Sequence, residues 1–212
     1  RQQEVNYMSN ANVNPKVGRL ARMALLVAII ILLTFTPLGY ITLPFIAATT
    51  IQMPVIIGAV MMGPMAGLAL GIAFGLSALC KVLMMPGADP VATAILSYNF
   101  FLYAVIAIVP RGLMGWLSGL LFAGLNKTLP NQRLISYGIT GFVGSMLNTI
   151  FYLGSLWLMA SGIVAEVYSM DISGVGAMVM TVAATAGIPE AIVSCVIVAA
   201  VCRALQAIDK NK

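Results

Sequence analysis

A small set of polar side chains lies inside long apolar stretches of this 212-residue chain: Gln52, Lys81, Tyr98, Asn99, Arg111, Asn148 and Glu190. They comprise two cations, one carboxylate, three carboxamides and a phenol, a set suited to holding a ligand. A guanidinium takes a carboxylate through paired N–H···O bonds, and carboxamides both donate to and accept from amides and hydroxyls. The set is poorly suited to catalysis, because no base–nucleophile pair is visible. The chain has no histidine, so the commonest metal ligand and neutral-pH acid–base group is missing. Cys80, Cys195 and Cys202 sit in apolar runs and read as small hydrophobes. There is no G-x-x-x-x-G-K-[ST] phosphate loop and no G-x-S-x-G elbow. The expectation is a binding protein without ATPase or hydrolase activity and without a cofactor or metal of its own.

Structural roles compete with each of these assignments. Lys81 and Arg111 can snorkel to outer headgroups, Glu190 can serve as an ion-pair partner of Arg111, and Asn148 can hold helices together. Arg111 follows Pro110 and is read as opening a helix, where a cation opposes the dipole and an anionic ligand would relieve the conflict.

The elements that must position these groups are membrane spans. Hydrophobic residues make up 61% of the chain and charged residues 8%, too little polar surface to cover a core in water. Apolar stretches recur to the C-terminal end, so the bilayer is the solvent of the whole chain. Spans are expected at about 17–36, 53–62, 65–85, within 94–126, at 134–160 and at 182–204. Residues 1–16 and 206–212 read as polar tails around a single domain at 17–205. The Pro-, Gly- and Thr-rich stretch 37–51 is expected to form an irregular, lid-like loop, with Tyr40 and Pro44 on it. Irregular backbone at membrane depth survives only where protein covers it or it lines a cavity. Pro110 interrupts 94–126, which reads either as one broken helix or as an extra span plus another. The stretch 161–180, with Glu166 and Asp171, reads as a loop.

Six spans place both termini on one side with nine of the 11 basic residues, from Arg1, Lys16, Arg19 and Arg22 to Lys210 and Lys212. The opposite loops carry Asp89, Glu166 and Asp171. That asymmetry predicts cytoplasmic termini, and the net charge of +5 becomes an orientation signal rather than a nucleic-acid surface. The fold expected is an all-α integral membrane protein, a six-helix bundle with its polar groups gathered in the outer half. Gly67, Gly71 and Gly75 repeat every four residues, as do Gly115 and Gly119, which predicts close helix packing. Ala21, Ala24 and Ala28 form a similar small face, able to dock inside the bundle or on another membrane protein. With a single intramembrane carboxylate and no obvious repeat, a self-powered carrier is disfavoured. A solute binder whose energy source lies elsewhere fits better.

Several stretches resemble the substrate-binding S components of energy-coupling factor (ECF) vitamin transporters, nearest to the pantothenate type. They are ALLVA (Ala24 to Ala28), TPLGYITLP (Thr36 to Pro44), TIQMPVIIGAVMMGPMAGLALGIAFG (Thr50 to Gly75), VPRGLMGWLSGLLF (Val109 to Phe122), GSMLNTIFYLG (Gly144 to Gly154) and GIPEAIVSCVIV (Gly187 to Val198). The resemblance implies a six-helix S component in a bacterial cell membrane, with a vitamin site near the outer face under the first loop. It implies that Ala24 and Ala28 dock on a transmembrane T subunit and that two cytoplasmic ATPase subunits supply energy. Gln52 stands where many pantothenate-type members have histidine, and Met65 where lysine is common. Pantothenate matches the polar set: Arg111 with Lys81 for the carboxylate, and Asn99, Asn148 and Gln52 for amide and hydroxyls. The rival readings are an S component for a pyrimidine or queuosine precursor, a structural membrane protein and, least favoured, an intramembrane enzyme.

Overall fold

The computed structural model describes residues 15–43 and 46–210. Helix α1 (Pro15–Phe35) carries Lys16, Arg19 and Arg22 in its first turns, is apolar from Met23 onward apart from Thr34, and lies largely on the outside of the bundle. Leu20, Leu25 and Leu32 are exposed on it, a surface that only hydrocarbon or another protein can cover. Thr34 anchors α1 inward: its hydroxyl donates to Ile30 O and lies 3.0 Å from Ser77 Oγ. Pro37 ends the helix, and a 3₁₀ turn (Pro37–Gly39) leads into strands β1 (Tyr40–Leu43) and β2 (Ile46–Thr49).

The expected irregular loop is therefore a β-hairpin. The strands are antiparallel, with Tyr40 opposite Thr49 and Leu43 opposite Ile46. Ile41, Thr42, Ile46 and Thr49 are β-branched and favour extended backbone, and pairing satisfies backbone groups that hydrocarbon would leave bare. Pro44 lies outside the described residues.

Helix α2 (Gln52–Met62) is buried on every side from Gln52 to Val60. Its 11 residues rise about 16 Å, roughly half the hydrocarbon thickness. The turn into α3 (Pro64–Met84) needs Gly63, whose φ of 93° suits glycine, and Pro64 then supplies the fixed φ of a first helical turn. Asp89 caps α4 (Pro90–Tyr98) by accepting from Ala92 N at 3.0 Å. Asn99 has extended backbone and caps α5 (Phe100–Thr128), accepting from Leu102 N.

The break in 94–126 thus falls at Asn99, and Pro110 lies inside one continuous helix. Proline is tolerated there because neighbouring groups can take over the disturbed carbonyls; Arg111 Nη1 donates to Ala107 O at 2.6 Å. Arg111 is accordingly mid-helix, and the expectation that it opens a helix against the dipole is corrected. Helix α6 (Arg133–Val167) carries a break at Ala160 (φ −135°, ψ 17°), where the span was expected to end. The stretch 161–180 is mostly helical rather than a loop: α6 continues to Val167, a turn follows, and α7 (Ile172–Val182) begins. A π-helical turn (Ala183–Gly187) joins α7 to α8 (Ile188–Lys210). Glu166 lies in the last turn of α6, and Asp171 stands at the start of α7, with the turn between them.

Among the described residues, five helical stretches are long and apolar enough to cross a membrane: Lys16–Phe35, Pro64–Met84, Phe100–Thr128, Arg133–Val167 and Ile172–Ile208. Helix α2 is a sixth, shorter apolar helix. The glycine repeats of α3 and α5 face each other: a Cβ on Gly67 would meet Gly115 O, and one on Gly71 would meet Arg111 O. Backbone-to-backbone approach of this kind is what small residues permit in membranes. One apolar cluster surrounds α2 with Ile56, Leu70, Phe74 and Met114; a second, with Ile95, Tyr103, Ile106 and Val175, lies towards α4 and α7.

The two ends of the bundle differ in charge. At one end Arg19 Nη2 donates to Met62 O, a favourable place for a cation because it is the C-terminus of α2. Arg22 lines a groove there with Met62 and Leu205, and Arg203 lies with Leu134. Lys81 and Asp89 lie at the other end, around the cavity described next.

Candidate ligand-binding cavity

Because α2 stops short, the space beyond its first residue is filled by the hairpin and by a cavity of about 480 Å³. Its walls come from α1 (Thr34), the end of β2 (Thr49), α3 (Phe74, Lys81), the start of α4 (Asp89), α5 (Tyr103, Arg111) and α6 (Asn148, Tyr152). The volume suits a small organic molecule, and the lining mixes apolar surface with a few polar groups.

Arg111 is its most distinctive wall. The guanidinium carbon lies 4.7 Å from the ring centres of both Phe74 and Tyr152, so the cation is held between two aromatic faces. Stacking of this sort fixes the plane of the fork and offsets part of the cost of removing the charge from water. Nη1 is engaged by Ala107 O, whereas Nε is buried without a hydrogen-bond partner among the described residues. The structural ion pair considered between Arg111 and Glu190 does not form; Glu190 bonds elsewhere.

Glu190, 7% exposed, accepts from the backbone N–H of Thr49 at 2.8 Å and makes a long contact, 3.5 Å, with Gln52 Nε2. Gln52 is fully buried. Its Nε2 donates to Ser145 Oγ at 2.6 Å, and its Oε1 accepts from Asn148 Nδ2 at 2.7 Å. Asn148 Oδ1 is a buried acceptor without a partner among the described residues. One polar chain thus runs from Asn148 at the cavity wall through Gln52 to Glu190 and the hairpin.

Of the seven site residues expected from sequence, Lys81, Arg111 and Asn148 line the cavity. Lys81 is in the last turn of α3, where a cation is favoured. Gln52 and Glu190 join the same network one layer behind the wall. Tyr98 and Asn99 do not join it: Tyr98 is exposed, and the Asn99 side chain is used as the α5 cap. Tyr40 contributes its backbone to the hairpin. Ala21, Ala24 and Ala28 are exposed along α1. Sequence reasoning missed Phe74, Tyr152, Ser145 and Thr49. The aromatic pair gives no signal in an apolar chain, whereas Ser145, one helical turn before Asn148, could have been found by i, i+3 spacing.

The family model "ECF transporter, substrate-specific component" matches residues 18–202, nearly the whole described chain. The chain belongs to this family. Such a component binds the substrate of its transporter, and the several long apolar helices make this member a multi-pass membrane protein. No curated relative matches the sequence.

Proposed function

We propose that this S component is the substrate-capture subunit of an ATP-driven importer and that it takes pantothenate into the cavity under the hairpin. The observation that carries the reading is Arg111, held between Phe74 and Tyr152 in a cavity of about 480 Å³, with a carboxylate-binding fork and no acidic partner among the described residues. The substrate carboxylate pairs with Arg111, Lys81 adds positive potential, and the buried acceptor Asn148 Oδ1 takes an amide or hydroxyl proton of the ligand. The cavity end faces outward and the basic end faces the cytoplasm, in keeping with the placement of Arg19, Arg22, Lys127, Arg133 and Arg203. The exposed Ala21, Ala24 and Ala28 face docks on the T subunit, two ATPase subunits drive the cycle, and reorientation in the bacterial plasma membrane delivers the ligand.

Calorimetric titration of the purified protein with pantothenate tests this. Binding is expected in the micromolar range or tighter (order of magnitude), with about 100-fold weaker binding in Arg111→Ala. Equal affinity in that variant removes the carboxylate assignment. Binding of a pyrimidine or queuosine precursor in place of pantothenate redirects the substrate within the same family.

A further inference from the structure

Glu190 is the one carboxylate in the polar network, yet it stands behind the cavity wall rather than in it. Its Oε1 accepts the N–H of Thr49, the last residue of β2, and Thr49 is itself part of the cavity wall. Its second oxygen looks back to Gln52, whose amide bonds Asn148, another wall residue. The π turn Ala183–Gly187 immediately precedes α8, whose first turn holds Glu190, and packs against both β2 and α6, with Gly187 set against Thr149. An ordinary α-helical turn there would rotate Glu190 by about 100° around the helix axis, away from the hairpin. The wide turn therefore aims the carboxylate at one backbone N–H.

We propose that Glu190 is a positioning residue that ties the returning strand of the hairpin to the bundle, and that Gln52 links this tie to Asn148 in the cavity wall. A ligand that engages Asn148 tightens the Gln52 amide and, through Glu190, holds Thr49 and the hairpin over the cavity. Glu190 acts through the hairpin and not by touching the ligand. The ligand part of this proposal rests on the capture reading above; the tie itself does not.

Hydrogen exchange of the ligand-free, full-length protein in lipid nanodiscs tests the tie directly. In Glu190→Ala the Thr49 amide is expected to exchange at least about tenfold faster than in the parent, because its acceptor is gone. Glu190→Gln keeps an oxygen at the same reach and is expected to stay within about threefold. Should Glu190→Ala not fold, Glu190→Asp shortens the arm by one methylene and is expected to release Thr49 equally. Unchanged Thr49 exchange in Glu190→Ala or Glu190→Asp overturns the proposal. With pantothenate as probe, Glu190→Ala is expected to raise the dissociation rate about tenfold with little change in association, and Glu190→Gln to restore it. If Glu190→Gln loses affinity as Glu190→Ala does while Thr49 stays protected, Glu190 is a ligand contact and the positioning role is overturned. A parent protein that ignores pantothenate overturns the substrate assignment alone, and the exchange result still decides the tie.

Discussion

Asn148 of α6 donates a 2.7 Å hydrogen bond to the side-chain carbonyl of Gln52, the first residue of α2. Two helices distant in sequence are thereby joined at the level where α2 ends and the cavity begins. Gln52 uses both halves of its amide, and neither can reach water.

Gln52→Leu keeps the volume and deletes the hydrogen bonds, leaving Ser145, Asn148 and Glu190 each short of a partner. The expected cost is about 1–3 kcal/mol, seen as a lower midpoint in reversible unfolding. In a cycle with Asn148→Ala the two losses should fall short of additivity by at least about 0.5 kcal/mol, as expected for residues in one network. Full additivity would show that the bond contributes nothing.

Tyr152→Leu removes one of the two rings that hold Arg111. Cation–aromatic contacts in desolvated sites are worth about 2 kcal/mol, so affinity for pantothenate should fall up to about 30-fold. Tyr152→Phe retains the ring and should remain within about threefold. Matched titrations of the two variants decide whether the ring or the hydroxyl matters.

Gly71→Ala and Gly115→Ala each push a methyl group into a backbone carbonyl of the facing helix. Overpacking against backbone costs about 1–3 kcal/mol, and both variants should lose thermal stability. Gly162→Ala and Gly174→Ala add a methyl where nothing lies within 4 Å and should change little. Melting curves of the four proteins under identical conditions provide the comparison.

Orientation has a direct readout. On a background with Cys80, Cys195 and Cys202 replaced by alanine, Ala88→Cys should react with a membrane-impermeant maleimide from outside intact cells. Lys127→Cys should react only after permeabilisation. The reverse pattern would invert the proposed topology.

Much of this architecture was legible because the bilayer imposes strict demands on sequence. The spans of α1 and α3, the Gly63–Pro64 turn and the glycine seam of α3 and α5 follow from hydropathy, turn chemistry and four-residue spacing. The hairpin was hidden because its β-branched residues lie among Pro, Gly and Thr, which also mark irregular loops. An asparagine beside a span can cap a helix as readily as contact a ligand, and spacing does not separate the two; the Asn99 side chain caps α5. Arg111 does line the cavity, but not for the reason its sequence context suggests. Its helix was thought to start at Pro110, whereas Asn99 starts it, and two aromatic rings rather than a helix end define its surroundings.

The shortness of α2 has an electrical consequence. In the proposed orientation, water filling the cavity would carry the potential of the outer solution down towards the level of Gln52, and only the remaining depth, about the length of α2, would act as insulator. A membrane voltage of 100 mV is worth about 2.3 kcal/mol per unit charge across the full drop. Confined to roughly half the thickness, the same voltage produces about twice the field. An anion resting beside Arg111 would lie above that layer, so the voltage would weigh on its release inward far more than on its capture.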